Sequence, residues 1–342
     1  MSKTGKVRVG ILGTSHVHAP TYLHCLTTGR NATRVEIAGI YDNSGNAKAG
    51  AIAAKRGLPI LGTPQEVLAE RPDFVMICTE NARHIEMFRL AAAAGIDVLC
   101  EKPLATTVRD MDEMLRTSRE AGIKLMTTFP NRYIHSYRSV KATYDAGGLG
   151  RLLGVKATNK GEMPGGWFVD PALSGGGCII DHTVHVADLI NHLLGEMPVS
   201  VRASSARRLY DELAVEDVAL VSFVYRDGTF VTLDASWSRT KAFPYARDLT
   251  LQLVGDRASA NVHYFAESNE VFSEEAGTFW SYYGEDKDRM MLEDVAGCYL
   301  EGRDFPITGL DGYRSTMVAL AAYRSAAEGR TVRIEELGGA FR

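Results

Sequence analysis

The 342-residue sequence predicts an α/β fold in two domains. Residues 1–128 should form a doubly wound parallel sheet, and residues 129–342 an α+β domain on a large, open, mostly antiparallel sheet. Three observations predict this. Short β-branched apolar runs alternate with alanine-rich amphipathic stretches as far as Thr127. Gly57, Gly95 and Gly122 stand just past such stretches, where a left-handed C-terminal cap favours glycine. After Phe129-Pro130 the rhythm lengthens into alternating strands.

In order, Val7–Leu12 reads as a strand, Pro20–Thr28 as a helix, Val35–Tyr41 as a strand and Ala47–Arg56 as a helix. Phe74–Cys78 is the next strand, followed by helix His84–Ala94, strand Val98–Cys100, helix Val108–Ala121 and strand Lys124–Thr127. In the second half, helix Tyr137–Ala146 leads into strands Leu152–Thr158, Val199–Ser204, Val218–Tyr225, Phe230–Trp237 and Leu249–Val254. The turn Tyr225-Arg-Asp-Gly-Thr229 signals a hairpin between two of them.

Hydrophobic residues make up 45% and charged residues 23%, an ordinary globular balance. A net charge of −4 supplies no basic field for phosphate backbones, so no nucleic-acid partner is expected. No run approaches the roughly 20 apolar residues that span a bilayer, so no membrane partner is expected either. The basic start before Gly5 leads into a first strand that is too short and glycine-rich for a signal-peptide core. The five cysteines are odd in number and lack CxxC spacing, which suits free thiols in a reducing cytoplasm. Cys178, after a glycine run, is the one weighed as a nucleophile, but no separate base pairs with it.

The turn after the first strand, Gly13-Thr-Ser15-His16-Val-His18, occupies the place of a dinucleotide fingerprint. Gly13 stands where the first glycine belongs, while Ser15 and His18 replace the second and third in an ungapped register. Asp42, ending the second strand, is placed to accept hydrogen bonds from the adenosine ribose and to repel a 2′-phosphate. This favours NAD over NADP on a Rossmann domain. His16 and His18 read as polar residues of an exposed turn. A metal-binding His-x-His is the alternative, but two ligands are too few, and no metal is expected.

Leu99-Cys-Glu101-Lys102-Pro103 and Gly175-Gly-Gly-Cys-Ile-Ile-Asp181-His182-Thr-Val-His185 together resemble the Gfo/Idh/MocA family, whose members include glucose–fructose oxidoreductase and inositol dehydrogenase. Asn131-Arg132, Gly148-Leu-Gly-Arg151 and Asp311-Gly312 extend the resemblance along the chain. The departures are the eroded glycine fingerprint and His182, where relatives usually carry a small apolar residue. The resemblance implies that Lys102 stabilises a developing alkoxide beside the nicotinamide, that His185 is the general base, and that Asp181 orients substrate or base. The plainer readings are a solvated lysine after a strand, and a carboxylate paired with a histidine one helical turn away. Lys102 and His185 come from different domains, so the reacting carbon is expected between them. The resemblance also implies cofactor contacts from Gly13, Thr14, Ser15, His16, Asp42, Thr79, Asn81, His84, Glu101 and Lys102. Arg132, Trp167 and His182 are the expected substrate contacts, with Trp167 equally suited to plain packing. Asp188 and His192 read as supporting or helix-surface residues.

The expected activity is hydride transfer between NAD and a secondary hydroxyl of a sugar, sugar derivative or cyclitol. The alternatives are a lyase or glycoside-cleaving enzyme that oxidises the sugar transiently, and a non-catalytic dinucleotide-binding sensor. A homodimer or homotetramer formed through the second sheet is the expected assembly.

Overall fold

The computed structural model describes residues 5–240, 243, 247–264, 268–284 and 286–341; the basic start before Gly5 lies outside them. The chain forms two compact units. The first is Met1–Pro130 with Lys287–Tyr313 and Gly339–Phe341, and the second is Asn131–Asp286 with Arg314–Gly338.

In the first unit, β1 (Val7–Leu12), β2 (Val35–Tyr41), β3 (Ile60–Leu61), β4 (Phe74–Ile77), β5 (Asp97–Cys100) and β6 (Leu125–Thr127) form one sheet in the order β3-β2-β1-β4-β5-β6. Every pairing is parallel. All four residues of β4 are buried, as expected of a strand covered on both faces. The helices are α1 (Ala19–Leu26), α2 (Asn31–Arg34), α3 (Ala47–Arg56), α4 (Pro64–Ala69), α5 (His84–Ala93) and α6 (Val108–Ala121). Local chemistry sets their ends. The Asn46 side chain caps the amides of Lys48 and Ala49, and Thr107 caps that of Asp110. Gly57 and Gly122 close α3 and α6 in the left-handed conformation.

The first unit also takes in Lys287–Tyr313, which the sequence reading assigned to the second domain. Helix α10 (Lys287–Glu301) buries Met291, Leu292, Val295 and Ala296 and packs on α1. Tyr299 stacks on Phe74 at 5.0 Å and its hydroxyl donates to Asp97. These partners lie some two hundred residues away in sequence, out of reach of any local pattern.

The second unit holds α7 (His135–Asp145), β7 (Leu152–Gly161), α8 (Pro171–Ser174), α9 (Cys178–Leu194), β8 (Ser200–Ala206), β9 (Val218–Val224), β10 (Phe230–Asp234), β11 (Arg247–Gly255) and β12 (Ser259–His263). The hairpin β13 (Ser268–Ser273) and β14 (Gly277–Tyr282), the Arg314–Glu328 part of α11 (Gly309–Glu328), and β15 (Val332–Arg333) complete it. Its sheet runs β12-β11-β7-β10-β9-β8-β15 and is antiparallel except between β7 and β10. The expected hairpin joins β9 to β10, with the Tyr225 amide donating to the Thr229 carbonyl. One face buries Val155, Ala157, Ala219, Val221, Val231 and Leu233. The other leaves Leu220, Phe230, Val224 and Val254 exposed.

Candidate active site

In the first unit the predicted cofactor residues gather at the carboxyl ends of β1, β2, β4 and β5, where parallel sheets bind ligands. Gly13 has φ +91°, and a Cβ there would run into Thr79 and Asn43, so only glycine fits. The turn is tied down by Gly13 N to Tyr41 O (2.9 Å), Thr14 N to Asn43 Oδ1 (3.0 Å) and His16 N to Cys78 O (3.0 Å). Asp42 Oδ1 accepts from the Thr14 hydroxyl and from the amides of Ser44 and Gly45. Partial burial opposes ionisation of Asp42, but these hydrogen bonds outweigh it and hold the carboxyl below its usual range.

His16 and His18 are not exposed turn residues: their rings meet edge to face at 4.7 Å, and both are buried. Their burial follows from the carboxylate between them. His18 Nδ1 lies 3.1 Å from Glu101 Oε1, and His16 Nδ1 lies 3.6 Å from the same oxygen. The His18 amide donates to His16 Nδ1, which leaves the His16 ring proton on Nε2. Glu101 Oε2 accepts from the Lys102 amide (2.9 Å) and the Thr128 hydroxyl (3.0 Å). Burial pushes the Glu101 carboxyl up, but His16, His18 and Lys102 outweigh it and hold the group well below the usual range. Burial in turn holds His16 well below the usual imidazole value, hence neutral. One ring nitrogen from each histidine and a Glu101 oxygen lie within 4.8 Å of one another, close enough to share one cation, with Lys102 nearby as a competing positive charge.

Thr79, Asn81 and His84 are buried after β4. His84 Nδ1 donates to Pro103 O at 2.9 Å, and burial lowers its pKa. The Thr79 hydroxyl is buried with no hydrogen-bond partner among the described residues, an orphan that a polar ligand at this edge would satisfy. With the side-chain-free turn at Gly13, this makes the residues present fit a dinucleotide.

In the second unit α9 carries Asp181 and His185 one turn apart, as the four-residue spacing predicts. The glycines before it are steric necessities. A Cβ at Gly176 would strike the Tyr323 hydroxyl, and one at Gly177 the Glu216 carbonyl. The Glu216 carboxylate accepts from Gly177 N (3.1 Å), Ile179 N (2.9 Å) and the Tyr323 hydroxyl (2.8 Å). It thus satisfies the amides that begin the helix. Burial raises the Glu216 carboxyl despite these bonds. Cys178, in the first turn, is buried, and its thiol is pushed far up by burial, which opposes the thiolate a nucleophile needs.

Asp181 Oδ2 accepts from Trp237 Nε1 at 3.0 Å and lies 3.3 Å from His182 Nε2, while His182 Nδ1 lies 3.0 Å from Ala235 O. Arg132 and Asp188 are both buried and form a two-pronged ion pair at 2.9 and 2.5 Å. Asp188 is therefore interior, not a helix-surface residue; the Arg132 charge draws it in. Tyr137 donates to Leu189 O and lies 2.8 Å from His192 Nδ1. Trp167 is half-buried and stacks on Phe168 at 3.9 Å.

Comparison with known proteins decides what this arrangement belongs to. Residues 7–129 match the oxidoreductase family with an NAD-binding Rossmann fold, and residues 137–261 match the GFO/IDH/MocA C-terminal domain. The chain belongs to the GFO/IDH/MocA family. It is 25% identical over 291 residues to the myo-inositol 2-dehydrogenase of Thermotoga maritima, covering 81% of this chain and 84% of that protein. It is 28% identical over 344 residues to the 1,5-anhydro-D-fructose reductase of Ensifer adhaerens, covering 96% and 98%. The structure of GenD2 from gentamicin A biosynthesis, in complex with NAD, shares the fold with a TM-score of 0.85 at 23% identity over 96% of each chain. This GFO/IDH/MocA member is a nicotinamide-dependent oxidoreductase. Sequence reasoning missed Asn43, Glu216, Trp237 and Tyr323 as residues that hold its site. Glu216 carries only a weak signal, an acidic pair with Asp217 at the entrance to β9.

Proposed function

We propose that this enzyme oxidises a secondary hydroxyl of a sugar or cyclitol, with NAD preferred over NADP. The observation that supports it most is the carboxyl edge of the first sheet, where the Gly13 turn, Asp42 and Lys102 end β1, β2 and β5. The names of the relatives support the substrate class. Gly13, Thr14, Ser15 and His16 would hold the pyrophosphate, and Asp42 the adenosine ribose. Asp42 is ionised at neutral pH and repels a 2′-phosphate. Thr79, Asn81, His84 and Glu101 would line the cofactor further along the edge. When bound, the nicotinamide supplies the acceptor for the hydride that leaves the carbinol carbon.

The chain's own residues do the rest. His185 takes the hydroxyl proton, the Lys102 ammonium stabilises the developing alkoxide, and Asp181 orients the substrate by accepting from a neighbouring hydroxyl. Trp167 offers an apolar face to the ring. The Arg132 guanidinium braces α9 through Asp188. The histidine–glutamate cluster ties the turn after β1 to the end of β5 and is not a metal site. Five free, buried cysteines suit the cytoplasm, and among the described residues no helix is long and apolar enough to cross a membrane. The exposed apolar residues on the open sheet face suit pairing with a second copy.

Calorimetry with NAD and NADP, followed by NADH absorbance with a polyol panel, tests the reading. NAD should bind tighter, and free NADH should accumulate with at least one polyol. Equal affinity for the two dinucleotides would defeat the Asp42 assignment, and no NADH with any polyol would defeat the dehydrogenase. Stoichiometric zinc lost in His16→Ala would overturn the non-metal reading.

A further inference from the structure

Thr14, in the turn after β1, is only 1% exposed and so offers almost no surface to a ligand. Each of its polar groups meets the segment between β2 and α3. Its amide donates to Asn43 Oδ1 at 3.0 Å, and its carbonyl accepts from Asn46 Nδ2 at 2.8 Å. Its hydroxyl donates to Asp42 Oδ1 and lies 3.1 Å from the Ser44 hydroxyl. The two asparagines are themselves fixed. Asn43 Nδ2 donates to Glu80 Oε2 at 3.0 Å, and Asn46 Oδ1 caps the first amides of α3.

The donors on Asp42 are of two kinds. The Ser44 and Gly45 amides, each 3.0 Å from Oδ1, lie within three residues of Asp42 and travel with it. The Thr14 hydroxyl comes from 28 residues away, so it alone ties the carboxylate to the turn after the neighbouring strand. Bonds from both sides hold Oδ1 and thereby set the direction of Oδ2. Partial burial raises the Asp42 carboxyl, and the Thr14 hydroxyl heads the hydrogen bonds that bring it below its usual range.

We infer that Thr14 is a positioning residue for the ribose end of the dinucleotide: it fixes the Asp42 carboxylate against the β1 turn and acts on the cofactor through that carboxylate. The inference rests on the proposed ribose contact of Asp42 and deepens it. Thr14 shapes the turn that faces the pyrophosphate, but its own donors are engaged by Asn43 and Asp42. A carboxylate aimed at the ribose hydroxyls benefits NAD. NADP, with a phosphate in that place, gains nothing from the aim. Thr14 thus supports the preference by strengthening NAD binding.

The first test uses the protein without cofactor. Aspartate labelled with ¹³C at the carboxyl reports each titration, with Asp42 assigned by Asp42→Ala. Thr14→Val keeps the side-chain shape but removes the hydroxyl, and should raise the Asp42 pKa; Thr14→Ser should return it. An Asp42 titration that is the same in wild type and Thr14→Val would overturn the inference.

The second test is calorimetry with NAD and with NADP. Thr14→Val should weaken NAD about tenfold, the scale of one hydrogen bond to a charged group, and leave NADP nearly unchanged. Thr14→Ser should bind NAD as wild type does. In an Asp42→Ala background Thr14→Val should add little, because the two residues act through one contact. Equal weakening of both dinucleotides would mark general damage to the turn and overturn the inference. So would a full further loss of NAD affinity on top of Asp42→Ala. A wild type that binds both dinucleotides equally would defeat the Asp42 assignment and the inference with it. The titration tells that failure from a Thr14 that never held the carboxylate.

Discussion

Each unit sets a histidine against a carboxylate beside a residue assigned to catalysis, but the two pairs are built differently. His18 and Glu101 are 83 residues apart and join the turn after β1 to the end of β5. Asp181 and His182 are sequence neighbours on α9, held by the Ala235 carbonyl just past β10 and by Trp237. The Glu101 side chain is 0% exposed, whereas those of Asp181 and His182 are 14% and 12% exposed. A buried pair that crosses the fold holds it together; a slightly exposed pair of neighbours ties one turn of α9 to the Ala235 carbonyl and the Trp237 indole.

The largest expected effects fall on the residues that the pairs flank. Lys102→Ala and His185→Ala should each lower kcat by roughly 10²–10⁴, the range for general acid–base and preorganised electrostatic contributions. NAD affinity measured by calorimetry should change little, because neither residue is assigned to adenosine or pyrophosphate. Near wild-type kcat in both would leave the pairs with nothing catalytic to flank.

Stability should separate the pairs next. His18→Ala removes a partner of a fully buried carboxylate and should cost about 3 kcal/mol, the low end for a broken buried pair, because the Lys102 amide and Thr128 still reach Glu101. His18→Gly should cost as much, although it restores the fingerprint glycine. His182→Ala should cost about 1 kcal/mol, near the net value of one hydrogen bond. Urea unfolding measures all three, and equal losses at 18 and 182 would erase the contrast.

The smallest effect is a divergence with pH. Burial lowers the pKa of His16 and His84, so their stability contribution is complete above the unfolded value of about 6.5 and is lost as pH falls below it. Glu216 in the second unit has a raised carboxyl, with the opposite sign: its contribution is present below the unfolded value of about 4.3 and is lost as pH rises through the folded value. Hydrogen exchange, corrected for intrinsic rates, should show the first unit losing protection relative to the second between pH 7 and pH 5. Parallel changes would refute the assignment.

The first sheet was legible because burial on both faces writes itself as continuous apolar runs. β1 and β2 fall on their predicted residues, and β4 and β5 within one residue of them. β3 has only two residues, too few for any periodicity, and was missed. Five strands of the second sheet were readable from their alternation, but the short β12 and β15 were missed, and the order was not readable, since the parallel β7–β10 pairing depends on a crossover. Lys102, Asp181 and His185 are proposed from motifs. The residues that hold them were not: Trp237 meets Asp181 across 56 positions, Glu216 meets Gly177 across 39, and Tyr323 meets Ile180 across 143. His16 and His18 were misread as exposed because the carboxylate that draws them inward lies at the end of another strand.

The glycines before α9 have a consequence for how this sequence can change. Gly176 and Gly177 keep their places because the Tyr323 hydroxyl and the Glu216 carbonyl occupy the volume a side chain would need. The same hydroxyl accepts from the amides of Gly177 and Ile180 and donates to Glu216. Positions 176, 177, 216 and 323 therefore form one epistatic unit, in which the tolerated residue at each depends on the size and polarity of the other three. Mutational drift that trims Tyr323 opens room at 176 but strips two helix-starting amides of their acceptor. Gly176 thus records the shape of a tyrosine far along the chain, and a change at either end of that contact constrains the other.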